Sequence, residues 1–249
     1  MPLAAPFVTF YDVSTSERVE LSGTTFENWV AKTANFLRDE FDLEPGSRVG
    51  VRLPVHWQTS VWIGAIWRVG ATLVAQSNSG DSDNRDTLDL AVIGPAGVGA
   101  ATDYPDPDTD TVACSLRPLN APFADPLPAA MIDYSAEVLA HGDHFGPAEK
   151  MLPGQPALVM GDRSWTSAEV SADAAELRDR WGLAHGGRLL LPDRGTPDLS
   201  LPVWLSLLAV PLAAQGSLVI VRHPDPGTLD AIAEQERTSA RLPATCWRE

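Results

Sequence analysis

One pattern of predicted helix and strand occurs twice in the sequence, and this duplication limits the possible folds more than any other feature. The two copies occupy residues 24–54 and 165–192. Each copy contains the string Leu-Arg-Asp in a helical stretch, then a short turn that ends in glycine, then an apolar strand that begins with arginine and ends with proline. A second helix and strand are predicted after each copy, at residues 57–69 and 72–75 and at residues 199–212 and 218–221.

The apolar residues of these segments predict an α/β fold. In the first helix, Phe26, Val30 and Leu37 recur at spacings that place them on one face. Thr25 and Thr166 are predicted to cap the first helix of each copy. The strands are apolar with little alternation, which is typical of parallel strands covered on both faces. We therefore expect two related Rossmann-like, doubly wound halves joined by a proline-rich connection. The predicted boundaries are 1–115 for the first half, 116–156 for the connection and 157–249 for the second half.

Charge and composition exclude several classes of function. The 249 residues include 33 acidic and 18 basic side chains, which give a formal net charge of −15. Nucleic acids and anionic membranes attract basic surfaces, so neither is a predicted partner. Two cysteines are too few for a disulfide framework and no basic residue precedes Arg18, so a cytoplasmic location is predicted. The uncharged stretch 199–221 contains Pro202 and Pro211, which favour a helix and a buried strand over a membrane span.

Several segments resemble the opening of the adenylate-forming superfamily, which includes acyl- and aryl-CoA ligases, peptide-synthetase adenylation domains and luciferases. The matching segments are 25–29 (TFENW), 43–49 (LEPGSRV), 70–71 (GA) and 232–243 (IAEQERTSARLP). The chain as a whole is most similar to short adenylate-forming-like proteins of actinobacteria. This resemblance implies the fold of a truncated N-terminal domain of such an enzyme.

The phosphate-binding loop of that superfamily has no match in this sequence. The loop is rich in Ser, Thr and Gly and ends in Pro-Lys-Gly, because backbone N–H groups and a cation must hold a polyanion. By order along the chain it should follow residues 157–159, where residues 160–165 read MGDRSW. The family's ribose-binding Asp, catalytic Lys and small C-terminal domain would come after residue 249. The resemblance therefore implies a degenerate member, and no catalytic residue is assigned.

The carboxyl ends of the predicted strands are the expected place for a ligand, because open α/β sheets bind ligands there. His56 and Trp57 follow the strand of the first copy, and Asp193 and Arg194 follow that of the second. His56 and Trp57 are candidates to stack on and hydrogen-bond an aromatic or acyl ligand, and Arg194 to pair with a carboxylate or phosphate. In the alternative interpretation, Trp57 belongs to the core and Asp193 pairs with Arg194 at a surface turn.

No metal site or catalytic nucleophile is predicted elsewhere. His141, Asp143 and His144 lie close together, but a zinc site needs further ligands that the spacing does not supply. Cys114 and Cys246 lack a partner motif and are predicted to be buried thiols.

The leading functional hypothesis is a non-catalytic module, without a cofactor, that binds a small molecule or a protein partner. The expected small molecule is a carboxylic acid or a nucleotide, and the expected partner is another protein or a second copy of the chain. A second hypothesis is an AMP-forming acyl- or aryl-acid ligase completed by a partner chain, which would use ATP and CoA. The sequence is also compatible with a structural dimer module and with an unrelated nucleotide-dependent α/β enzyme.

Overall fold

The computed structural model describes residues 3–76, 88–98, 109–146, 151–193, 195 and 198–247. The chain groups into two compact units, each made of segments that are separate in the sequence. The first unit comprises Met1–Glu27, Val55–Ser60 and Ala168–Glu249, and the second comprises Asn28–Pro54 and Val61–Ser167. These units do not coincide with the predicted segments 1–115, 116–156 and 157–249, and the pairing of the strands explains the difference.

The first unit is built on a five-stranded sheet. Its strands are β1 (Pro6–Asp12), β2 (Glu17–Ser22), β10 (Arg188–Pro192), β11 (Ser217–Arg222) and β12 (Ala240–Arg241). They lie in the order β12-β10-β11-β1-β2. Strand β2 runs antiparallel to β1, and the other neighbouring pairs are parallel.

The second unit is built on a seven-stranded sheet. Its strands are β3 (Arg48–Arg52), β4 (Thr72–Ala75), β5 (Leu90–Ile93), β6 (Thr111–Ala113), β7 (Met131–Asp133), β8 (Pro156–Met160) and β9 (Arg163–Thr166). They lie in the order β7-β6-β5-β3-β4-β8-β9. Strand β9 runs antiparallel to β8, and the other neighbouring pairs are parallel.

Helices connect parallel strands within each sheet and also connect strands of different sheets. The α-helices are α1 (Gly23–Phe41), α2 (Trp57–Arg68), α3 (Pro95–Val98), α4 (Tyr134–Glu137), α5 (Ser167–Arg180), α6 (Leu201–Ser206), α7 (Ala209–Ala213) and α8 (Pro226–Gln235). Helix α2 connects β3 and β4 of one sheet, for example, whereas α1 connects β2 and β3 of different sheets. Short 3₁₀ helices cover Pro118–Asn120, Val138–Ala140 and Ala244–Trp247. Among the described residues, no helix is both long and apolar enough to cross a membrane.

The predicted α/β fold is confirmed, and the two copies repeat strand by strand. The first copy runs α1-β3-α2-β4, and the second runs α5-β10, then α6 and α7, then β11. Arg48 opens β3 opposite Thr72 of β4, and Arg188 opens β10 opposite Ser217 of β11. The strand that follows each copy returns to the far side of its first strand, β5 beside β3 and β12 beside β10. The copies therefore share both topology and register.

A hairpin precedes each copy and pairs with the strands of the other copy. The β1–β2 hairpin comes directly before α1, yet β1 pairs with β11 of the second copy. The β8–β9 hairpin comes directly before α5, yet β8 pairs with β4 of the first copy. Each sheet thus combines the strands of one copy with the hairpin that precedes the other, in the order β12-β10-β11-β1-β2 and, within the seven-stranded sheet, in the matching order β5-β3-β4-β8-β9. This exchange explains why the compact units differ from the predicted consecutive segments.

Two helix predictions need correction. The segment predicted as one helix over 199–212 forms α6 and α7, because Leu208 (φ −150°, ψ −54°) leaves helical geometry between them. Thr25 lies inside α1, and the Oγ of Ser22 accepts a hydrogen bond from the Thr25 N–H at 3.1 Å. Ser22 therefore caps α1, whereas Thr166 stands directly before α5 as expected.

Apolar packing holds α8 on the five-stranded sheet. Leu190, Val219 and Val221 of the sheet form one buried cluster with Leu229 and Ile232 of α8. The cluster places the start of α8 beside the carboxyl ends of β10 and β11.

The two cysteines differ in burial. Cys114 is fully buried, and burial raises the pKa of its thiol. Cys246 is half-buried, so the prediction of two buried thiols holds for Cys114 and is wrong for Cys246.

Candidate functional site

Four polar side chains meet at the carboxyl ends of the parallel strands in the first unit. Asp12 is the last residue of β1, Asp193 directly follows β10, and Arg222 and His223 end and follow β11. Because β1, β10 and β11 are parallel neighbours, their carboxyl ends lie at one edge of the sheet. We call these four residues the strand-end cluster.

Arg222 lies between the two carboxylates of the cluster. Its Nε is 3.3 Å from Oδ2 of Asp193, and its Nη1 is 3.7 Å from Oδ2 of Asp12. The residues Asp12 and Asp193 are only 7% and 9% exposed. The other oxygen of Asp193 accepts a hydrogen bond from the Gly195 N–H at 2.8 Å. The guanidinium group therefore stabilises both nearly buried carboxylates, which would otherwise be costly to keep charged, and the three groups together carry one net negative charge.

Asp12 also organises Ser14 and His223. The backbone N–H and the hydroxyl of Ser14 donate to Oδ1 of Asp12 at 3.0 and 2.6 Å, and Nδ1 of His223 lies 3.0 Å from the same oxygen. Burial alone would raise the pKa of Asp12, but the hydrogen bonds from Ser14 and His223 outweigh it, so the pKa lies below its ordinary value. Asp12 is thus an ionised acceptor, and Nδ1 of His223 carries the proton of their hydrogen bond.

A cavity of about 410 Å³ opens beside the cluster. It is formed by the loops after β10 and β11, the first turns of α8 and strand β12. Its lining residues are Asp193, Gly195, His223, Pro224, Asp225, Pro226, Leu229, Asp230 and Arg241. Cavities at this edge of parallel sheets are the usual place for ligands in α/β proteins.

His56 and Trp57 are interior side chains, only 1% and 2% exposed. The His56 ring contacts Phe10 edge to face at 4.4 Å between centroids, and its Nδ1 accepts a hydrogen bond from the Gln58 N–H at 3.2 Å. Burial, with a smaller contribution from the charge of Arg222, lowers the pKa of His56 to about 3. These positions match the interpretation in which Trp57 belongs to the core, and a ligand-stacking role for either residue stays a prediction.

The predicted site residues are only partly brought together. His56 and Asp193 both interact electrostatically with Arg222, so they share one neighbourhood in the first unit. Asp193 pairs with Arg222, and Arg194 lies outside the described residues. Sequence reasoning did not select Asp12, Arg222 or His223, although Arg222 and His223 stand at the end of the predicted strand 218–221. Applying the strand-end rule to the predicted strand 218–221 would have found Arg222 and His223, whereas Asp12 ends a strand that was not predicted from the sequence.

The expected position of the phosphate loop is a tight turn. Met160 pairs with Arg163 across the β8–β9 hairpin, so Gly161 and Asp162 alone connect the two strands. Gly161 has φ +56°, a left-handed conformation that glycine adopts without steric cost. Both turn residues are exposed, and Asp162 adds a carboxylate. A two-residue turn offers no ring of N–H groups for a triphosphate, so the described residues here do not fit ATP.

His141 of the second unit contacts two carboxylates of α1. His141 Nδ1 and Nε2 lie 3.7 Å from carboxylate oxygens of Asp39 and Glu40 respectively. Within the described ranges, no group of three or more His, Cys, Asp or Glu side chains is arranged to hold a metal ion.

Comparisons with known proteins agree with the architecture. No protein-family model matches the chain. A Mycobacterium tuberculosis protein described as a TIGR03089 family protein is 34% identical over 244 residues, which cover 95% of this chain and 91% of that protein. The crystal structure of a Brucella canis acyl-CoA synthetase superposes with a TM-score of 0.76 at 15% identity. The match covers 98% of this chain and 46% of the synthetase, so the chain spans about half of that enzyme's length.

Proposed function

Because the chain belongs to the TIGR03089 protein family, we propose a function that the adenylate-forming fold permits without the adenylation reaction. The chain acts as a non-catalytic module that binds a small molecule at the strand-end cluster and its cavity. The observation that carries this proposal is the β8–β9 turn, which occupies the place of the superfamily's phosphate loop in chain order.

The turn supports a non-adenylating role for a physical reason. Adenylation requires the protein to hold the phosphates of ATP, which takes several converging N–H groups and a cation. The strands on either side of Gly161 and Asp162 use their backbone groups in the β8–β9 ladder. Asp162 places a negative charge where the polyanion would have to bind, which repels it.

The first unit supports a binding role. Its cavity lies at the carboxyl edge of a parallel sheet, and two nearly buried carboxylates and a guanidinium group are fixed beside it. Such an arrangement provides a few positioned polar groups next to apolar surface, which is typical of small-molecule sites. The net charge of −15 further disfavours nucleotides as the ligand.

Calorimetric titration and pyrophosphate exchange together test the proposal. The purified chain is titrated with ATP, AMP, CoA, a panel of carboxylic acids and a panel of amines, and is then assayed for ATP–pyrophosphate exchange with the same acids. We expect saturable binding of a small molecule and no exchange. Exchange by the chain alone would overturn the proposal, as would the absence of binding for every compound. Exchange that appears only with a co-purifying protein would establish the two-chain ligase instead.

A pair of variants tests the location of binding. Asp193→Asn removes a charge from the cavity wall, whereas Asp179→Asn removes one from the exposed surface of α5, where Asp179 is paired with Arg178. We expect Asp193→Asn to change the affinity by about tenfold, which corresponds to about 1.4 kcal/mol, with weaker binding for a cationic ligand and tighter binding for an anionic one. Asp179→Asn should leave the affinity unchanged, and thermal unfolding of both variants verifies that they are folded. Equal affinities for the two variants would place the ligand elsewhere.

A further inference from the structure

The cavity beside the strand-end cluster has a polarity that restricts its ligand, and the following inference rests on the proposed binding function. The described charged groups of the cavity and cluster comprise four carboxylates and two guanidinium groups. They are Asp12, Asp193, Asp225 and Asp230, with Arg222 and Arg241. Both cations are engaged, since Arg222 lies between Asp12 and Asp193, and Arg241 pairs with Asp230 at 2.7 Å.

The imidazole of His223 adds a further acceptor to the cavity wall. Its Nδ1 donates to the ionised Asp12, so in the neutral ring Nε2 carries the lone pair. His223 has φ +53°, a left-handed conformation that is uncommon for a residue with a Cβ, and the side chain is about half exposed. The contact with Asp12 therefore fixes the tautomer of a ring that a ligand can reach.

The start of α8 closes the other side of the cavity to anions. A helix N-terminus ordinarily attracts negative groups through its unpaired N–H donors. Here the carboxylate of Asp225 already caps the helix and accepts a hydrogen bond from the Thr228 N–H at 2.9 Å. An incoming carboxylate or phosphate would meet the charge of Asp225 in place of free donors.

Apolar groups complete the wall. Pro224, Pro226 and Leu229 line the cavity, and Leu229 belongs to the buried cluster that holds α8 on the sheet. A ligand that fits has hydrogen-bond donors at one end, for the carboxylates and the imidazole, and hydrocarbon at the other. At about 410 Å³ the cavity admits a small organic molecule.

We propose that this cavity binds a small organic cation, a primary amine or guanidine carried on a short apolar body, and discriminates against carboxylates and phosphates. The ligand's N–H groups bind Asp230, Asp193 and Nε2 of His223, and its hydrocarbon part packs against Leu229. The expected ligand class is therefore opposite in charge to the carboxylic acid or nucleotide that the sequence predicted.

Matched pairs of probes test this choice of charge. Phenethylamine is compared with 3-phenylpropionate, and hexylamine with hexanoate, by titration calorimetry at pH 7.5 in low salt. Agmatine serves as the guanidinium probe, and hexanol as the neutral one. We expect each amine to bind at least about tenfold more tightly than its matched acid, equivalent to about 1.4 kcal/mol. Raising the salt concentration should weaken the binding of the amines, because salt screens the attraction between their charge and the carboxylates.

Variants of the wall locate the effect. Asp230→Asn removes an acceptor and leaves the charge of Arg241 unpaired, so the amine should bind at least about threefold more weakly. His223→Gln should also weaken the amine, and Asp179→Asn on α5 should not. Asp230 is 72% exposed, so its substitution is not expected to unfold the chain.

Each remaining outcome contradicts the inference in a distinguishable way. Preference for a carboxylate or phosphate overturns the proposed ligand class but leaves the binding function intact. If Arg194→Ala abolished that preference for anions, the result would support the sequence prediction for Arg194. Equal affinity for hexanol and hexylamine also overturns it. Pyrophosphate exchange, or no binding by any probe, overturns the proposed function itself.

Discussion

The five-stranded sheet and five strands of the seven-stranded sheet share one order and one register, but the two sheets differ at their carboxyl edges. Val8 of β1 and Leu158 of β8 hold equivalent places, because their partners Leu218 and Leu73 lie opposite Leu189 and Val49 in the two copies. Counting along the strands from these places, Asp12 corresponds to Asp162, and Asp193 corresponds to Leu53. Asp12 and Asp193 are nearly buried and bind Arg222, whereas Asp162 is an exposed turn residue and Leu53 is buried apolar core.

This difference separates what makes the scaffold from what makes the site. Apolar strands and glycine turns occur in both copies, and the strands of each copy pair in the same order within their own sheet. The strand-end cluster depends on single residues at the ends of the strands. In the described part of the seven-stranded sheet, Leu53 and Asp162 occupy the positions that correspond to Asp193 and Asp12. The same fold therefore forms with either polar or apolar residues at the ends of its strands. A sheet of this order does not require the buried carboxylates of the first unit, and a role in binding would explain them.

Substitutions in the exchanged hairpins should produce the largest effect on this comparison. Phe10 of β1 is fully buried and Leu158 of β8 is 2% exposed. Phe10→Ala should destabilise the chain by about 3–5 kcal/mol and Leu158→Ala by about 2–5 kcal/mol, because each leaves a cavity. Hydrogen exchange should show the crossed pattern: Phe10→Ala deprotects β10 and β11, and Leu158→Ala deprotects β3 and β4.

The crossed pattern is the decisive part of that experiment. If each hairpin belonged to the sheet of its own copy, Phe10→Ala would deprotect β3 and β4 instead. That result would contradict the strand exchange even if both variants lost the expected stability.

Removing the charge of Glu236 should produce the next largest effect, confined to the five-stranded sheet. Its carboxylate accepts hydrogen bonds from Arg188 at 2.7 Å, from Arg18 at 3.2 Å and from the Tyr11 hydroxyl. Its side chain is only 8% exposed, so Glu236→Gln should cost about 3 kcal/mol by leaving Arg188 without its counter-charge. Chemical denaturation measures the loss, and exposed Glu234→Gln is the matched control.

The effect of Glu236 should also depend on pH. Burial raises its pKa, but the hydrogen bonds from Tyr11 and Arg18 and the charge of Arg188 outweigh burial, and the pKa lies below its ordinary 4.5. The stabilisation is therefore present above about pH 4.5 and is lost as the pH falls through the lower folded value. A difference between wild type and Glu236→Gln that stays constant down to pH 3 would argue against an ionised Glu236.

His56 should make the first unit sensitive to mild acid. Its pKa is lowered from 6.5 to about 3, so the unfolded chain binds a proton below pH 6.5 that the folded chain does not. Stability should fall by about 1–2 kcal/mol between pH 7 and pH 5 through this residue, at up to about 1.4 kcal/mol per pH unit. His56→Asn keeps an acceptor for the Gln58 N–H. In this variant the free energy of unfolding, measured by urea titration, should fall less between pH 7 and pH 5. His185→Gln, an exposed histidine of the same unit, should leave the size of this fall unchanged.

The sequence predicted the repeated helices and strands because their apolar periodicity and glycine turns act locally. It could not predict the exchange of hairpins, since the partner of β1 is more than 200 residues away and nothing in the Pro6–Ser22 pattern specifies β11 over β4. The strand-end rule selected Asp193, which lines the cavity of the first unit, and its role in binding stays a prediction. Asp12 and Arg222 were missed because β1 itself was not predicted and the rule was applied to the end of β10 but not to that of β11.

The smallest predicted effects concern the turns of the two equivalent hairpins. In the β8–β9 hairpin, Gly161 takes φ +56°, whereas in the β1–β2 hairpin Ser16 takes φ +57° with a side chain attached. Gly161→Ala should destabilise the chain by about 1 kcal/mol, and Ser16→Gly should stabilise it by up to about 1 kcal/mol, because a Cβ is disfavoured at positive φ. Thermal unfolding would detect shifts of opposite sign. Shifts of the same sign would mean that side-chain contacts, and not backbone conformation, set the stability of these turns, and the two hairpins would then be equivalent in topology alone.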